Sequence, residues 1–243
     1  MLLTEVSIWE RLSKSRKSPL EACWLAKAYK VSIDANQRWI IAERLGWMGE
    51  KGWPLLKDII QKEGAQPELI NAAGLCHQPE AKKWLLKLLK DSNQRRVEVL
   101  QALACWGADL PISFLHNVLQ EKSQPIRLAG LEMLNFKAYQ LSDKLLLELL
   151  KESLADFRAP VLLRTLRILQ RRNSVSINAE IVELARTGSE VIAKAALLAL
   201  GSIGTSNSQK SLLTLSQELP CDSLKELAQK QYHHQYKVFN QEE

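Results

Sequence analysis

The side chains that could do chemistry are unevenly placed along this 243-residue chain. All seven tryptophans, at positions 9, 24, 39, 47, 53, 84 and 106, fall in the first 106 residues. A cluster of this kind can stack on bases, on a tetrapyrrole or on the side chains of a partner, since aromatic residues dominate interface hot spots. Trp24, Trp39 and Trp84 occupy apolar helical positions, where an indole also serves simply to fill space between helices; Trp47 and Trp53 flank a loop and are the better binding candidates. Lysines supply the second pattern: Lys83, Lys87 and Lys90 follow i, i+4, i+7 opposite Trp84, Leu85 and Leu88, with Arg95 and Arg96 close behind and Lys57 on the segment after Trp53. Arg164, Arg167 and Arg171 repeat that stripe opposite Leu162, Leu166 and Leu169. Such stripes also arise as ordinary solvated faces, and only arginine can grip a phosphate or carboxylate in a bidentate way.

The remaining chemistry is sparse. His233 and His234 are sequential and diverge on a helix, His77 sits in a loop beside Cys76, and His116 falls on a helix where it joins the binding candidates. None has a second ligand at i+3 or i+4, so no metal site is expected. Cysteines 23, 76, 105 and 221 form no close pair, which points to reduced thiols rather than a disulfide or zinc framework. The chain contains no G-x-S-x-G, no H-E-x-x-H and no glycine-rich phosphate loop, so no catalytic residue is assigned and a binding protein is the expectation.

The elements that must position these residues are helices. Hydrophobic residues make up 46% of the chain and charged residues 25%, while glycine (10) and proline (8) are scarce, as in a helical globular protein. The net charge of +6 is evenly spread, with 17 Lys/Arg against 14 Asp/Glu in residues 1–121 and 16 against 13 in residues 122–243, so there is no basic tail. The start, MLLTEVSIWERL, reaches a charge by residue 5 and no run of about 18 apolar residues occurs. These features predict neither a signal peptide nor a membrane span, and a cytoplasmic location.

Two segments, PELINAAGLCH and PEAKKWLLKLLKD, each open on Pro-Glu, a helix start in which proline presets φ and the carboxylate meets the helix N-terminus. Together they predict a helical hairpin, and the hairpin recurs. Leu45, Leu75, Leu103, Leu134, Leu169 and Leu200 are spaced by 30, 28, 31, 35 and 31 residues. Ten to twelve residues after each comes an apolar pair, from Leu55-Leu56 to Leu212-Leu213. Asp34, Ser92 or Asn93, Ser123, Ser174 or Ser176, and Ser189 are placed to start helices, and Gly46, Gly107 and Gly204 to stop them. A helix over Leu2–Ser15 caps the N-terminus, a second runs from Ser18-Pro19 to Tyr29 with Leu20, Cys23, Trp24 and Ala28 as its apolar face, and a last one spans Asp222–Tyr236 before the tail KVFNQEE. One hairpin cannot bury its own face, so the expected fold is all-α: a single domain over 1–243, a right-handed α-solenoid of about six hairpins, with caps at 1–33 and 220–243 around repeats at 34–219.

Arg38, Arg96 and Arg127 each stand seven residues before an anchor leucine, and Leu45-Gly46-Trp47-Met48-Gly49 and Leu200-Gly201-Ser202-Ile203-Gly204 share L-G-x-x-G. Over Asp34–Leu219 the chain thereby resembles HEAT repeats in their short bacterial form. In size and repeat form it is most similar to the cyanobacterial HEAT-like group that handles phycobiliproteins, the E/F-type bilin lyase subunits and phycobilisome-degradation factors. The resemblance implies second helices lining a concave groove and an acidic partner such as a phycobiliprotein subunit. It further implies a bilin as a transient ligand, no resident cofactor and, were there catalysis, a lyase-like one. Two alternatives remain open. HEAT-like alkylpurine DNA glycosylases are also basic and near this length, although 33 basic against 27 acidic residues is a weak balance for a phosphate binder. A general adaptor in cofactor or complex assembly is the other.

Overall fold

A computed structural model of the chain describes residues 4–16, 19–91 and 94–239. Among them every regular element is a helix: α1 (Glu5–Ser13), α2 (Ala22–Val31), α3 (Ala35–Trp47), α4 (Trp53–Glu63), α5 (Pro67–Leu75), α6 (Pro79–Asp91), α7 (Arg96–Leu103), α8 (Ile112–Leu119), α9 (Gln124–Lys137), α10 (Asp143–Leu154), α11 (Ala159–Leu169), α12 (Val175–Thr187), α13 (Glu190–Ile203), α14 (Ser206–Glu218) and α15 (Asp222–Phe239). Short 3-10 turns at Gly49–Lys51, Ala104–Asp109 and Ala138–Gln140 extend or join them.

The chain packs as two compact units, one of Met1–Leu110 with Glu132–Phe136 and one of Pro111–Leu131 with Lys137–Glu243. In the first unit α3 lies against α5 and α5 against α7, while α4 and α6 pack behind their own hairpin partners. In the second unit α11, α13 and α15 form one row and α10, α12 and α14 the other, with α8 against α10. Each unit is thus a stack of helical hairpins in the α-solenoid manner, hairpins within a unit burying their apolar faces on one another. Five of the six anchor leucines, Leu45, Leu103, Leu134, Leu169 and Leu200, are fully buried, and Leu75 is half-buried. One member of each apolar pair is fully buried as well: Leu56, Leu85, Leu115, Leu146, Ile181 and Leu212.

Helix starts follow local chemistry. The Asp34 carboxylate accepts the backbone N–H groups of Asn36 (2.7 Å) and Gln37 (3.2 Å), and Ser174 Oγ accepts that of Ile177 at 3.4 Å, satisfying donors left over at a first turn. Ser123 precedes α9, its carbonyl accepting the Arg127 N–H at 2.9 Å, and Ser189 precedes α13 without a side-chain bond. Ser18, Ser92 and Asn93 lie outside the described residues.

Several expectations are corrected. Helix α2 begins at Ala22, not near Ser18, and buries Leu25, Ala26, Ala28 and Tyr29, which leaves Cys23 exposed. Its phase is set by packing against α3 and α4 rather than by its own apolar count. Helix α1 is shorter than Leu2–Ser15 and buries Ile8 and Leu12, with Val6 and Trp9 outside. Helix α15 runs on to Phe239; the last four residues of the predicted tail, 240–243, lie outside the described residues. Of the three glycines read as stops, only Gly204 closes its helix, in the left-handed conformation (φ 65°). Gly46 sits inside α3, and Gly107 within the turn after α7; a Cβ there would lie 2.6 Å from the Ala72 carbonyl and 2.1 Å from that of Met133, respectively. Both glycines permit close backbone approach between stacked elements.

The repeat arginines act as cross-hairpin ties. Arg38 lies 4.2 Å over the ring of fully buried Tyr29, donates to its hydroxyl at 2.7 Å, and pairs with Glu63 and Glu68. Tyr29 in turn donates to Glu68 at 2.8 Å, and burial pushes its phenol well above the ordinary range. In the second unit Arg127 bonds the carbonyls of Leu119 (3.0 Å) and Glu152 (3.3 Å) and pairs with Asp156.

Candidate functional site

The candidate site lies between α4 and α6, which the repeat offset sets side by side. On α4, Trp53, Lys57, Ile60 and Gln61 stand at i, i+4, i+7 and i+8; on α6, Glu80, Trp84 and Lys87 stand at i, i+4 and i+7, so each set shares a face. Trp53, Lys57, Ile60, Gln61, Glu80 and Trp84 enclose a cleft of about 170 Å³. The two indoles meet with centroids 6.4 Å apart and planes tilted by 52°. Trp53 Nε1 donates to Glu80 Oε2 at 3.1 Å and Lys57 Nζ donates to the same oxygen at 3.4 Å. These two donors, the indole N–H first, hold the Glu80 carboxyl below its usual range, with the positive charge of Lys83 adding to the effect.

The sequence candidates distribute as follows. Trp47, the last residue of α3, is 65% exposed. Trp53 is not presented on a loop: it begins α4 and is only 6% exposed, a wall of the cleft rather than a free ring. Lys57 stands at the cleft rim, and Lys83, Lys87 and Lys90 point into solvent along α6. Trp84 is half-buried beside that stripe rather than opposite it, because Ala81 and Leu85 form the buried face of α6. Arg95 is half-buried and pairs with Glu98 at 3.3 Å, and Arg96 is half-buried at the start of α7. Trp39 is 44% exposed and does not fill space between helices.

His116 belongs to the second unit. It lines a separate groove of about 360 Å³ with Ile112, Ser113, Asn117 and Glu148, its Nε2 3.1 Å from Gln120 Nε2. A third and wider groove, about 820 Å³, is lined by Leu20, Cys23, Met48 and Leu55 with Glu21 and Lys51 at its edge.

Sequence reasoning missed Ile60, Gln61 and Glu80 and favoured a space-filling role for Trp84 over a binding one. The available signal was the i, i+4 spacing of Glu80 and Trp84 and the matching spacing of Trp53 and Lys57, 27 residues earlier. The lining carries charge, amide and indole but no nucleophile beside a base, a composition suited to holding a guest. Among the described residues no group of three or more His, Cys, Asp or Glu is placed to hold a metal ion, and no helix is long and apolar enough to cross a membrane.

No family model matches the chain, and no curated protein does. Among solved structures it aligns with human deoxyhypusine hydroxylase in complex with glycerol, at a TM-score of 0.41 and 17% sequence identity over 96% of this chain and 92% of that one.

Proposed function

We propose that the protein is a partner-binding helical-repeat scaffold whose α4–α6 face receives an acidic protein surface. The observation that carries this reading is the joining of an indole-walled cleft to exposed lysines: Trp53 and Trp84 form the walls, Lys57 the rim, and Lys83 and Lys87 the flank. Buried aromatic anchors ringed by charge supply affinity at the centre and steering at the edge. Phycobiliprotein subunits, the partners that the sequence resemblance implies, have the matching acidic chemistry, and a bilin would be carried by the subunit rather than by this chain.

The test is an affinity capture of the tagged protein from its native cells, with and without nuclease, compared with the Lys83→Glu/Lys87→Glu variant. Both lysines are exposed, so the variant keeps the fold. The expected result is a nuclease-resistant protein partner whose recovery falls about tenfold or more in the variant, equivalent to about 1.4 kcal/mol. A visible absorption band in the eluate would identify a phycobiliprotein. An eluate emptied by nuclease, or a partner retained equally by the variant, would refute the reading.

A further inference from the structure

We infer that the α4–α6 cleft is an anchor pocket for one phenylalanine side chain presented by an acidic segment of the partner; this rests on the docking face proposed above. The size is the first argument. A closed apolar cavity of about 150 Å³ holds a benzene ring, and this cleft measures about 170 Å³. Shape is the second: Trp53 and Trp84 are adjoining walls in direct tilted contact, 6.4 Å apart at 52°, and Ile60 lines the same cleft, so a ring seated in this corner meets the indoles in tilted or edge-on contact.

The polar groups select what enters. The Trp53 N–H is already given to Glu80, so the wall it offers is ring carbon, and a guest ring needs no hydroxyl to satisfy it. Two indoles with a carboxylate would otherwise suit a cation. Here, however, the Glu80 charge is taken up by Lys57 at 3.4 Å, and Lys83 and Lys87 flank Trp84 on the same helix, so an incoming cation meets net positive charge. Acidic residues on either side of the anchor meet those lysines instead.

The experiment uses the full chain and fluorescein-labelled 15-residue peptides of alternating Glu, Asp and Ser. These carry a central Phe, a central Ala or a central trimethyl-lysine, and binding is followed by fluorescence anisotropy. The Phe peptide is expected to bind at least tenfold more tightly than the Ala peptide. Trp84→Ala should abolish that preference. Gln61→Trp, on an exposed position at the cleft mouth, should block the Phe peptide in the same way and serves as the control should Trp84→Ala not fold. Lys83→Glu/Lys87→Glu should weaken both peptides. Equal binding of the Phe and Ala peptides that still depends on the lysines would overturn the anchor and keep the docking face. Indifference of both peptides to the lysine variant would overturn both, and preference for trimethyl-lysine would replace the anchor with a cation cage.

Discussion

Asp156→Asn should destabilise the second unit by about 3 kcal/mol. The carboxylate, in the loop before α11, has a side chain only 1% exposed and is held by three groups. Arg127 pairs with Oδ2; the Arg158 backbone N–H donates to Oδ1 at 2.9 Å, and the Arg158 guanidinium donates to Oδ1 at 2.8 Å and to Oδ2 at 2.6 Å. Losing one partner of a buried ion pair costs about 3–5 kcal/mol, because the other charge stays buried without compensation. Arg127, with a side chain 9% exposed, is the stranded charge, and its remaining bonds to the Leu119 and Glu152 carbonyls place the loss at the lower end. With a urea slope of about 2 kcal/mol per M, the midpoint falls by about 1.5 M. Far-UV circular dichroism is the suitable probe, since every tryptophan lies in the first unit and emission would not follow the second. The arginines, Arg158 first, hold the Asp156 carboxyl well below its ordinary range, so its contribution is present above the unfolded value of about 3.9 and lost as pH falls below it. The gap between wild type and variant should therefore close on acidification. Pairing Asp156→Asn with Arg127→Met should recover part of the loss. A midpoint shift under about 0.3 M at pH 7, or a double variant as unstable as the two single losses added, would refute the reasoning.

Two further outcomes follow from close packing and burial. Gly107→Ala should lower stability by about 1–3 kcal/mol, since its Cβ would lie 2.1 Å from the Met133 carbonyl; a thermal midpoint equal to wild type would show that the backbone gives way freely. Thiol labelling at pH 7 should mark exposed Cys23 and also Cys221, whose thiol is drawn down by the Ser223 hydroxyl at 3.1 Å and by nearby backbone N–H groups. Cys76, buried and pushed up to about 11 by desolvation, should react only in denaturant, and labelling of Cys76 as fast as Cys23 would contradict its burial.

The hairpins could be read from the sequence because their signal is local and repeated. Apolar residues at helical spacing, Pro-Glu starts and a leucine every 28 to 35 residues each depend only on neighbours in the chain, and five of the six leucines they single out, all but half-buried Leu75, are fully buried. Helix phase at the N-terminus was not legible in the same way, since Trp9 and Cys23 occupy apolar positions that the packing of α1 and α2 leaves outside. The glycines show the same division: Gly204 answers a local need for positive φ, whereas Gly46 and Gly107 answer the approach of a backbone 26 residues further on.

For the candidate site, the residue types came from the sequence and their assembly from the tertiary structure. The sequence by itself determined that the indoles would gather in the first 106 residues, and that Lys83, Lys87 and Lys90 would share one stripe of α6, the latter because helical periodicity alone dictates it. Only the stacking of α4 beside α6 decided that Trp53 would be a wall instead of an exposed ring, that Trp84 would face it, and that Glu80 would take its N–H. The same holds for Asp156, which meets Arg127 across 29 residues of chain. Such pairings depend on the angle and offset between whole hairpins, quantities set by the summed packing of many side chains and written at no single position.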